Sequence, residues 1–237
     1  MSDHELIERE KLAAARAAVA LVEPGMTIGL GSGSTAAAAV RLLGERVATG
    51  MEVTAVPASR STARLATSLG IPLVTTTVPL ALDLVIDGAD EFDPALQLIK
   101  GGGGDLLHEK IVASATARLV IMADHRKRVD ALGSTFPLPV EVVRVAWPLV
   151  AKALRELGGR PALRRAGRDG DPSAPSTTDE GNYILDCDFG AIADPAALGR
   201  ALNTLPGVVE HGLFLDLTAE VLYACGDDVE VLRRPSG

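Results

Sequence analysis

The feature that most constrains the fold is a repeated order of a short apolar strand, a loop rich in glycine or acidic residues, and a helix. Such strands are predicted at Thr27 to Leu30, Val53 to Val56, Leu82 to Ile86 and Arg118 to Ala123. The continuous apolar run from Leu82 to Ile86 is typical of a strand buried on both faces. Repeated βα units favour a mostly parallel sheet with helices on both sides. The sequence therefore predicts an α/β fold whose ligands bind beyond the carboxyl ends of the strands.

The pattern changes after about Leu132. The segments that follow have a β-α-β-β-α order, which resembles a small ferredoxin-like α+β unit. The polar stretch from Arg168 to Glu180 is predicted to form the tip of a mobile hairpin. We therefore predict two domains, one formed by residues 1–132 and 207–237 and an α+β domain of residues 133–206 inserted within it.

The charge of the chain limits its partners. Lys and Arg total 23 against 31 Asp and Glu, which gives a net charge of −8. So acidic a chain suits neither nucleic acid nor an anionic membrane surface, and its 3 % of aromatic residues suits base stacking badly. Cys187 and Cys225 form no short-spaced pair, and no apolar stretch reaches about 18 residues. We expect a cytoplasmic protein with reduced thiols and with no nucleic-acid or membrane partner.

The loop after the first strand, residues 29–36, reads Gly-Leu-Gly-Ser-Gly-Ser-Thr-Ala. Glycines let successive N–H groups point into one concavity, and the N-terminus of the next helix adds partial positive charge. The hydroxyls of Ser32, Ser34 and Thr35 add donors, so the loop suits a phosphate; a merely tight turn is the alternative. A dinucleotide fingerprint would need an acidic residue after the second strand, where Val-Pro-Ala stands at 56–58, and a P-loop would need a lysine.

The loop after the buried strand reads Asp-Gly-Ala-Asp-Glu-Phe-Asp over residues 87–93. Four carboxylates within seven residues repel one another, an arrangement that suits proton transfer near neutral pH. A solvated acidic turn and a Mg²⁺ or Ca²⁺ site are the alternatives, although the spacing does not match an EF-hand.

A third loop runs from Lys100 through four glycines to Asp105, which can cap the next helix. Lys100 supplies a mobile charge that can stabilise an oxyanion, and Glu109, one turn into the helix, can point back toward the same space. A flexible linker with a surface Glu–Lys pair is the alternative. Lys127, in a basic cluster after the fourth strand, is predicted either to be solvated or to bind a phosphate. Lys11, on the first helix, is predicted to be solvated.

These loops together suggest cofactor-free and metal-free proton transfer on a phosphorylated metabolite. Five motifs, in this order, resemble those of ribose-5-phosphate isomerase, type A. They are Gly-Ser-Gly-Ser-Thr at 31–35, Asp-Gly-Ala-Asp-Glu at 87–91, Lys-Gly-Gly-Gly at 100–103 with Glu109-Lys110, Phe-Pro-Leu-Pro-Val-Glu at 136–141 and Pro-Gly-Val-Val-Glu-His-Gly-Leu-Phe at 206–214. The likeness extends from the first helix to about Ala224. It departs from the family in Ser32, where the family usually has Thr, and in a longer polar stretch around 168–180.

The resemblance implies a Rossmann-like domain with an inserted α+β domain, assembled as a homodimer or homotetramer. It implies interconversion of D-ribose 5-phosphate and D-ribulose 5-phosphate through an enediolate, in the non-oxidative pentose phosphate pathway. Glu109 would carry the proton between C2 and C1, Asp87 would assist opening of the furanose ring, and Asp90 and Lys100 would handle the hydroxyl and oxyanion near the reacting carbons. The other implied substrate-binding residues are Ser32, Gly33, Ser34, Thr35, Gly88, Ala89, Gly101, Gly102, Gly103, Lys127 and Lys11.

Two other functions compete with this interpretation. A non-catalytic sugar-phosphate sensor would use a related sheet, but it usually carries a DNA-reading head, for which the acidic chain offers no candidate segment. An amino-sugar-phosphate deaminase of similar architecture would release ammonia.

Overall fold

The computed structural model describes residues 2–74, 81–166, 173–226 and 228–234. In chain order its elements are α1 (Asp3–Ala20), β1 (Thr27–Leu30), α2 (Gly33–Ala48), β2 (Thr54–Pro57), α3 (Arg60–Ser68), β3 (Leu84–Gly88), β4 (Glu91–Phe92), β5 (Leu98–Ile99), α4 (Leu106–Ser114), β6 (Leu119–Asp124), β7 (Leu138–Val142), α5 (Trp147–Glu156), β8 (Arg160–Leu163), β9 (Tyr183–Asp188), α6 (Pro195–Asn203), β10 (Val208–His211), β11 (Leu213–Phe214), β12 (Thr218–Cys225) and β13 (Asp228–Arg233). Short 3-10 turns cover His125–Lys127 and Arg144–Ala146.

The chain divides into two compact units. The first unit comprises residues 1–89, 108–128 and 216–237, and the second comprises 90–107 and 129–215. These bounds differ from the predicted domains chiefly at segment 90–107, which joins the second unit because β4 and β5 pair with each other and β5 pairs with β11. The predicted domain bounds remain a prediction.

The first unit is built on a six-stranded sheet in the order β13-β12-β6-β3-β1-β2. The strands from β12 to β2 run parallel, and β13 pairs antiparallel with β12. All six residues of β6 are buried, as expected for a strand covered on both faces. The predicted α/β class with a mostly parallel sheet is confirmed. The sheet brings the ends of β1, β3 and β6 to one edge.

Helix α1 packs on this sheet through a face of alanines. Ser2 caps the helix, and Ser2 and Glu5 form a reciprocal capping box. Ala14, Ala15 and Ala18 are completely buried, because side chains this small let the helix approach the strands closely. No helix in the described ranges is long and apolar enough to cross a membrane.

The second unit contains a four-stranded antiparallel sheet in the order β10-β7-β9-β8. With α5 and α6 between its strands, the unit contains the predicted β-α-β-β-α order, which β10 completes to βαββαβ, and the predicted α+β unit is confirmed. A smaller three-stranded sheet, β11-β5-β4, lies in the same unit. Of the predicted mobile tip at 168–180, residues 168–172 lie outside the described residues, and Pro175 bridges to Arg165.

The core of the second unit includes a cysteine. Cys187 on β9 is fully buried, and a Cβ at Gly159 would lie 2.4 Å from its Sγ. Burial, together with the nearby negative charge of Asp188, raises the pKa of the Cys187 thiol to about 12. Cys225, at the end of β12, is exposed.

Candidate functional site

The turn between β1 and α2 has the geometry of an anion site. Ser32 precedes the helix in an extended conformation, and α2 begins at Gly33, whose φ of +89° favours glycine. The N–H groups of the first helical turn, which includes Ser34 and Thr35, have no partner four residues back within the helix, and they carry the positive end of the helix dipole. The turn therefore presents the donors that its sequence predicts for a phosphate.

Asp87, at the end of β3, lies directly against this turn. Its Oδ1 accepts hydrogen bonds from the Ser32 N–H at 3.1 Å and the Gly88 N–H at 2.7 Å. A Cβ at position 31 would lie 1.9 Å from the same oxygen, so only glycine fits there. Gly88 and Ala89 continue the chain from Asp87, and a Cβ at Gly88 would lie 3.8 Å from Thr35 Cβ. The structure thus brings the predicted phosphate turn and one predicted catalytic carboxylate together.

Two hydroxyl groups that were not among the residues predicted from sequence support the turn, those of Ser59, which follows β2, and Thr62 on α3. Ser59 Oγ lies 3.4 Å from Ser32 Oγ, and Thr62 Oγ1 donates to the Gly31 carbonyl at 2.8 Å. Ser59 also caps α3 through the Thr62 N–H. A signal was available, because Ser59 follows a parallel strand adjacent to β1, where ligand-binding loops collect.

Glu109 lies in the first turn of α4 and is only 5 % exposed. The helix that carries it packs tightly in the first unit, because a Cβ at Gly29 would lie 2.5 Å from Val112 Cγ1. A buried carboxylate on a well-packed helix is held in a narrow range of positions, as a general base requires.

The glycine loop and Lys100 belong to the second unit. Lys100 is buried, and its side-chain ammonium lies 5.4 Å from the centroid of the Phe214 ring. The backbone N–H of Lys100 donates to the Gly212 carbonyl. Asp90 Oδ2 accepts from the Gly102 N–H at 2.7 Å. The predicted residues Asp90, Lys100 and Gly101 to Gly103 are thus grouped in one unit.

The four carboxylates of residues 87–93 bind separate sets of backbone N–H groups. Asp87 binds Ser32 and Gly88, Asp90 binds Gly102, and Asp93 binds Ala95 and Gln97. Glu91, completely buried on β4, accepts from the N–H groups of Gly133, Thr135 and Phe136 and from the Thr135 hydroxyl, all within 2.8 Å. Glu91 therefore anchors the loop before β7.

Replacing Glu91 by Ala is expected to lower the free energy of unfolding by at least about 3 kcal/mol, because hydrogen bonds to a charged group contribute about 1.5–3 kcal/mol each. Asp93→Ala is the control, since Asp93 is half-exposed and water can replace its two contacts at a cost of about 1 kcal/mol. Urea unfolding measures both, and equal losses would contradict the anchoring role.

The two other predicted phosphate ligands lie near a buried carboxylate, Glu10. Lys11 Nζ pairs with Glu8 at 2.7 Å, and Lys127 ends the 3-10 turn that follows β6. Glu10 accepts from the Gly226 N–H at 2.7 Å and bonds the His125 ring at 2.6 Å. Burial raises the pKa of Glu10, but these hydrogen bonds outweigh it and hold the pKa below its usual range. Glu10 therefore fixes α1 to the start of the turn that carries Lys127.

One group of potential metal ligands occurs among the described residues, namely Glu10, Asp124 and His125, whose ligand atoms lie within 4.8 Å of one another. Protein donors already engage these carboxylates, because Arg126 binds Asp124 with two nitrogens, at 2.8 and 3.0 Å, while Gly226 and His125 bind Glu10. Burial raises the pKa of Asp124, and the Arg126 guanidinium more than offsets this and lowers it. The group acts as a structural network.

Sequence comparisons relate the chain to one family of enzymes. The family model described as ribose 5-phosphate isomerase A (phosphoriboisomerase A) matches residues 54–228. A ribose-5-phosphate isomerase A from Roseiflexus sp. (strain RS-1) is 54 % identical over 225 residues, covering 94 % of this chain and 95 % of that protein. Another, from Roseiflexus castenholzii, is 51 % identical over 237 residues, covering 99 % and 98 %.

Solved structures agree with this relationship. The ribose 5-phosphate isomerase A of Methanocaldococcus jannaschii has a TM-score of 0.89 and 41 % identity, covering 95 % of this chain and 99 % of that one. A D-ribose-5-phosphate isomerase in complex with phospho-erythronic acid has a TM-score of 0.91 and 38 % identity, covering 96 % and 99 %.

Proposed function

Because the chain belongs to the ribose-5-phosphate isomerase A family, we propose that it interconverts D-ribose 5-phosphate and D-ribulose 5-phosphate through an enediolate. That the chain is an isomerase of this family follows from identities near 50 % over nearly its whole length. This extended likeness is the observation that carries the proposal. The enediolate and the residue roles below go further and are our own assignments.

The proposed proton carrier is Glu109. In the open-chain aldose its carboxylate takes the proton from C2, the electrons form the enediolate, and the same carboxyl returns the proton to C1. The burial of Glu109 supports this role, because a buried carboxylate on a packed helix keeps the position that proton transfer requires. Asp87 assists opening of the furanose ring.

The negative charge that develops on the substrate oxygens is assigned to groups of the second unit. A buried ammonium such as that of Lys100 stabilises an oxyanion more strongly than one in water, because little water screens it. Backbone N–H groups of Gly101 to Gly103 add preorganised donors, and Asp90 orients the Gly102 N–H or a substrate hydroxyl.

The phosphate of the substrate is assigned to the turn at Ser32 to Thr35. Three features support this assignment: the helix N-terminus, the hydroxyls around Ser32 and the glycine at 33. Lys127 and Lys11 add positive charge, with Lys11 first released from Glu8. The related isomerase that was solved in complex with phospho-erythronic acid holds a phosphorylated sugar acid, and a pentose phosphate likewise carries a phosphate on a short polyhydroxylated chain.

The test is exchange of solvent deuterium into ribose 5-phosphate by the purified protein, followed by NMR. Deuterium at C2 of the aldose with formation of ribulose 5-phosphate is expected, at a rate that a chelator leaves unchanged. Loss of activity with the chelator would instead support the alternative of a Mg²⁺ or Ca²⁺ site at residues 87–93. Ammonia from an amino-sugar phosphate, without pentose isomerisation, would favour the deaminase.

The cellular context is part of the same proposal. We place the reaction in the non-oxidative branch of the pentose phosphate pathway, in the cytoplasm, with a homodimer or homotetramer as the working assembly. Sedimentation of the purified protein distinguishes these oligomeric states.

A further inference from the structure

Arg164, directly after β8, joins the glycine loop to the antiparallel sheet of the second unit. Its Nε and Nη2 donate to the two carboxylate oxygens of Asp186 on β9, at 2.9 and 2.5 Å. Its Nη1 donates to the carbonyl oxygens of Gly101 and Gly102, at 3.0 and 3.1 Å. The Arg164 side chain is only 15 % exposed. One guanidinium therefore connects a fixed strand to two consecutive peptide groups of the loop.

These contacts set the direction of the loop's N–H groups. In a trans peptide the C=O and the following N–H point in opposite directions. When the Gly101 and Gly102 carbonyls face Arg164, the N–H groups of Gly102 and Gly103 face the other side of the loop. The Gly102 N–H accordingly meets Asp90.

The loop needs such a device because of its composition. Four successive glycines lose more backbone entropy on ordering than other residues would, and they supply no side chain to pack. The bidentate pair with Asp186 holds the guanidinium in one plane, so its remaining nitrogen offers donors at a fixed place. The contact is formed between residues more than 60 positions apart, which local sequence cannot indicate.

We propose that Arg164, held by Asp186, is a positioning residue for the isomerase reaction, because it fixes the peptide groups of the glycine loop and with them both the Gly103 N–H and Asp90, which the Gly102 N–H binds. This inference rests on the proposed function, which assigns the glycine loop and Asp90 to the substrate. Arg164 acts through the loop and through Lys100 beside it, and it donates nothing to the substrate itself.

The chain provides a matched control on the same two strands. Arg160 pairs with Asp188 at 2.6 Å, and the strand register places this pair two residues from Ala162 and Asp186. The Arg160 side chain is 79 % exposed and that of Asp188 is 48 % exposed. Replacing Arg160 removes an arginine–aspartate pair between β8 and β9 and leaves the glycine loop untouched.

The kinetic experiment compares Arg164→Met with Arg160→Met in the full chain. Arg164→Met is expected to lower kcat by about 100-fold, the scale of a 1 Å misplacement of a reacting group, with KM changed less than about threefold. KM is expected to change little because the turn proposed to bind the phosphate, residues 32–35, belongs to the first unit and Arg164 contacts the loop of the second. Arg160→Met is expected to stay within about twofold of wild type in both constants. Equal effects of the two variants, or a loss confined to KM, would overturn the proposal.

Hydrogen–deuterium exchange of the peptide that contains Gly101 to Gly104 provides a readout independent of activity. Faster exchange is expected in Arg164→Met and Asp186→Asn, and unchanged exchange in Arg160→Met.

Arg164→Lys keeps the charge but cannot bind Asp186 and both carbonyls together. Its kcat should therefore stay below about a tenth of the wild-type value. Should Arg164→Met fail to fold, Arg164→Lys and Asp186→Asn carry the same comparison. Wild-type exchange in the loop variants would overturn the inference, whereas a wild-type protein without isomerase activity would overturn the proposed function.

Discussion

Glu109→Gln is expected to lower kcat by about 10²–10⁴-fold, the usual contribution of a general base. The amide has nearly the shape of the carboxylate and fits the same buried space, but it cannot take a proton from carbon. Binding of ribose 5-phosphate should be retained within a few-fold, because the phosphate is assigned to the turn at Ser32 to Thr35. Steady-state kinetics and titration calorimetry measure the two effects separately.

The control for this variant is Glu45→Gln, an exposed glutamate on α2. It removes the same charge from the same unit and should leave kcat unchanged. A Glu109→Gln enzyme with a rate near wild type would remove Glu109 from the role of base. A joint loss of binding and turnover would instead indicate a role in holding the substrate.

Gly31→Ala is expected to lower kcat by about 100-fold, as a displaced catalytic group does, and to destabilise the fold by about 1–3 kcal/mol through overpacking. The added methyl would lie 1.9 Å from Asp87 Oδ1 and 2.0 Å from its Cγ, so the carboxylate has to move. Movement breaks its hydrogen bond with the Ser32 N–H and shifts the phosphate turn.

The control is Gly199→Ala on α6, where the new Cβ would lie at an ordinary 3.4 Å from its nearest neighbour in space, His211. Alanine in a helix is favourable, so this variant should keep both activity and stability. Kinetics and thermal unfolding on both variants test the prediction. A fully active Gly31→Ala enzyme would show that Asp87 need not occupy the observed position.

The parallel sheet and the ferredoxin-like order were predictable because burial leaves a direct pattern in the sequence. Strand β6, for example, is apolar up to its last residue, Asp124, and the α5 and α6 segments alternate with strands of the right length. Strand β13 was not predicted from the sequence because it is an exposed edge strand. It reads Asp-Val-Glu-Val-Leu-Arg and has no fully buried residue among those described. The two-residue strands β4 and β5 are too short to leave a pattern.

The site was predictable in its residue types but only partly in its contacts. Parallel strand ends indicated where Ser32 and Asp87 meet, since this follows from topology alone. The carboxylates at 87–93 were expected to act as one cluster, whereas each binds different N–H groups, because tertiary partners set their directions. Arg164 and Glu10 gave no sequence signal, since their partners lie more than 60 and 100 residues away. The catalytic roles of Glu109, Asp90 and Lys100 remain predictions.

The burial of Cys187 makes the chain a convenient object for spectroscopy. With its pKa near 12 that thiol stays protonated at neutral pH and does not attack electrophiles. Maleimide chemistry is thereby directed to Cys225, beside the β12–β13 turn whose Gly226 amide Glu10 binds. A single fluorophore can thus be attached to the native sequence, without removing any cysteine, to report on that corner of the molecule.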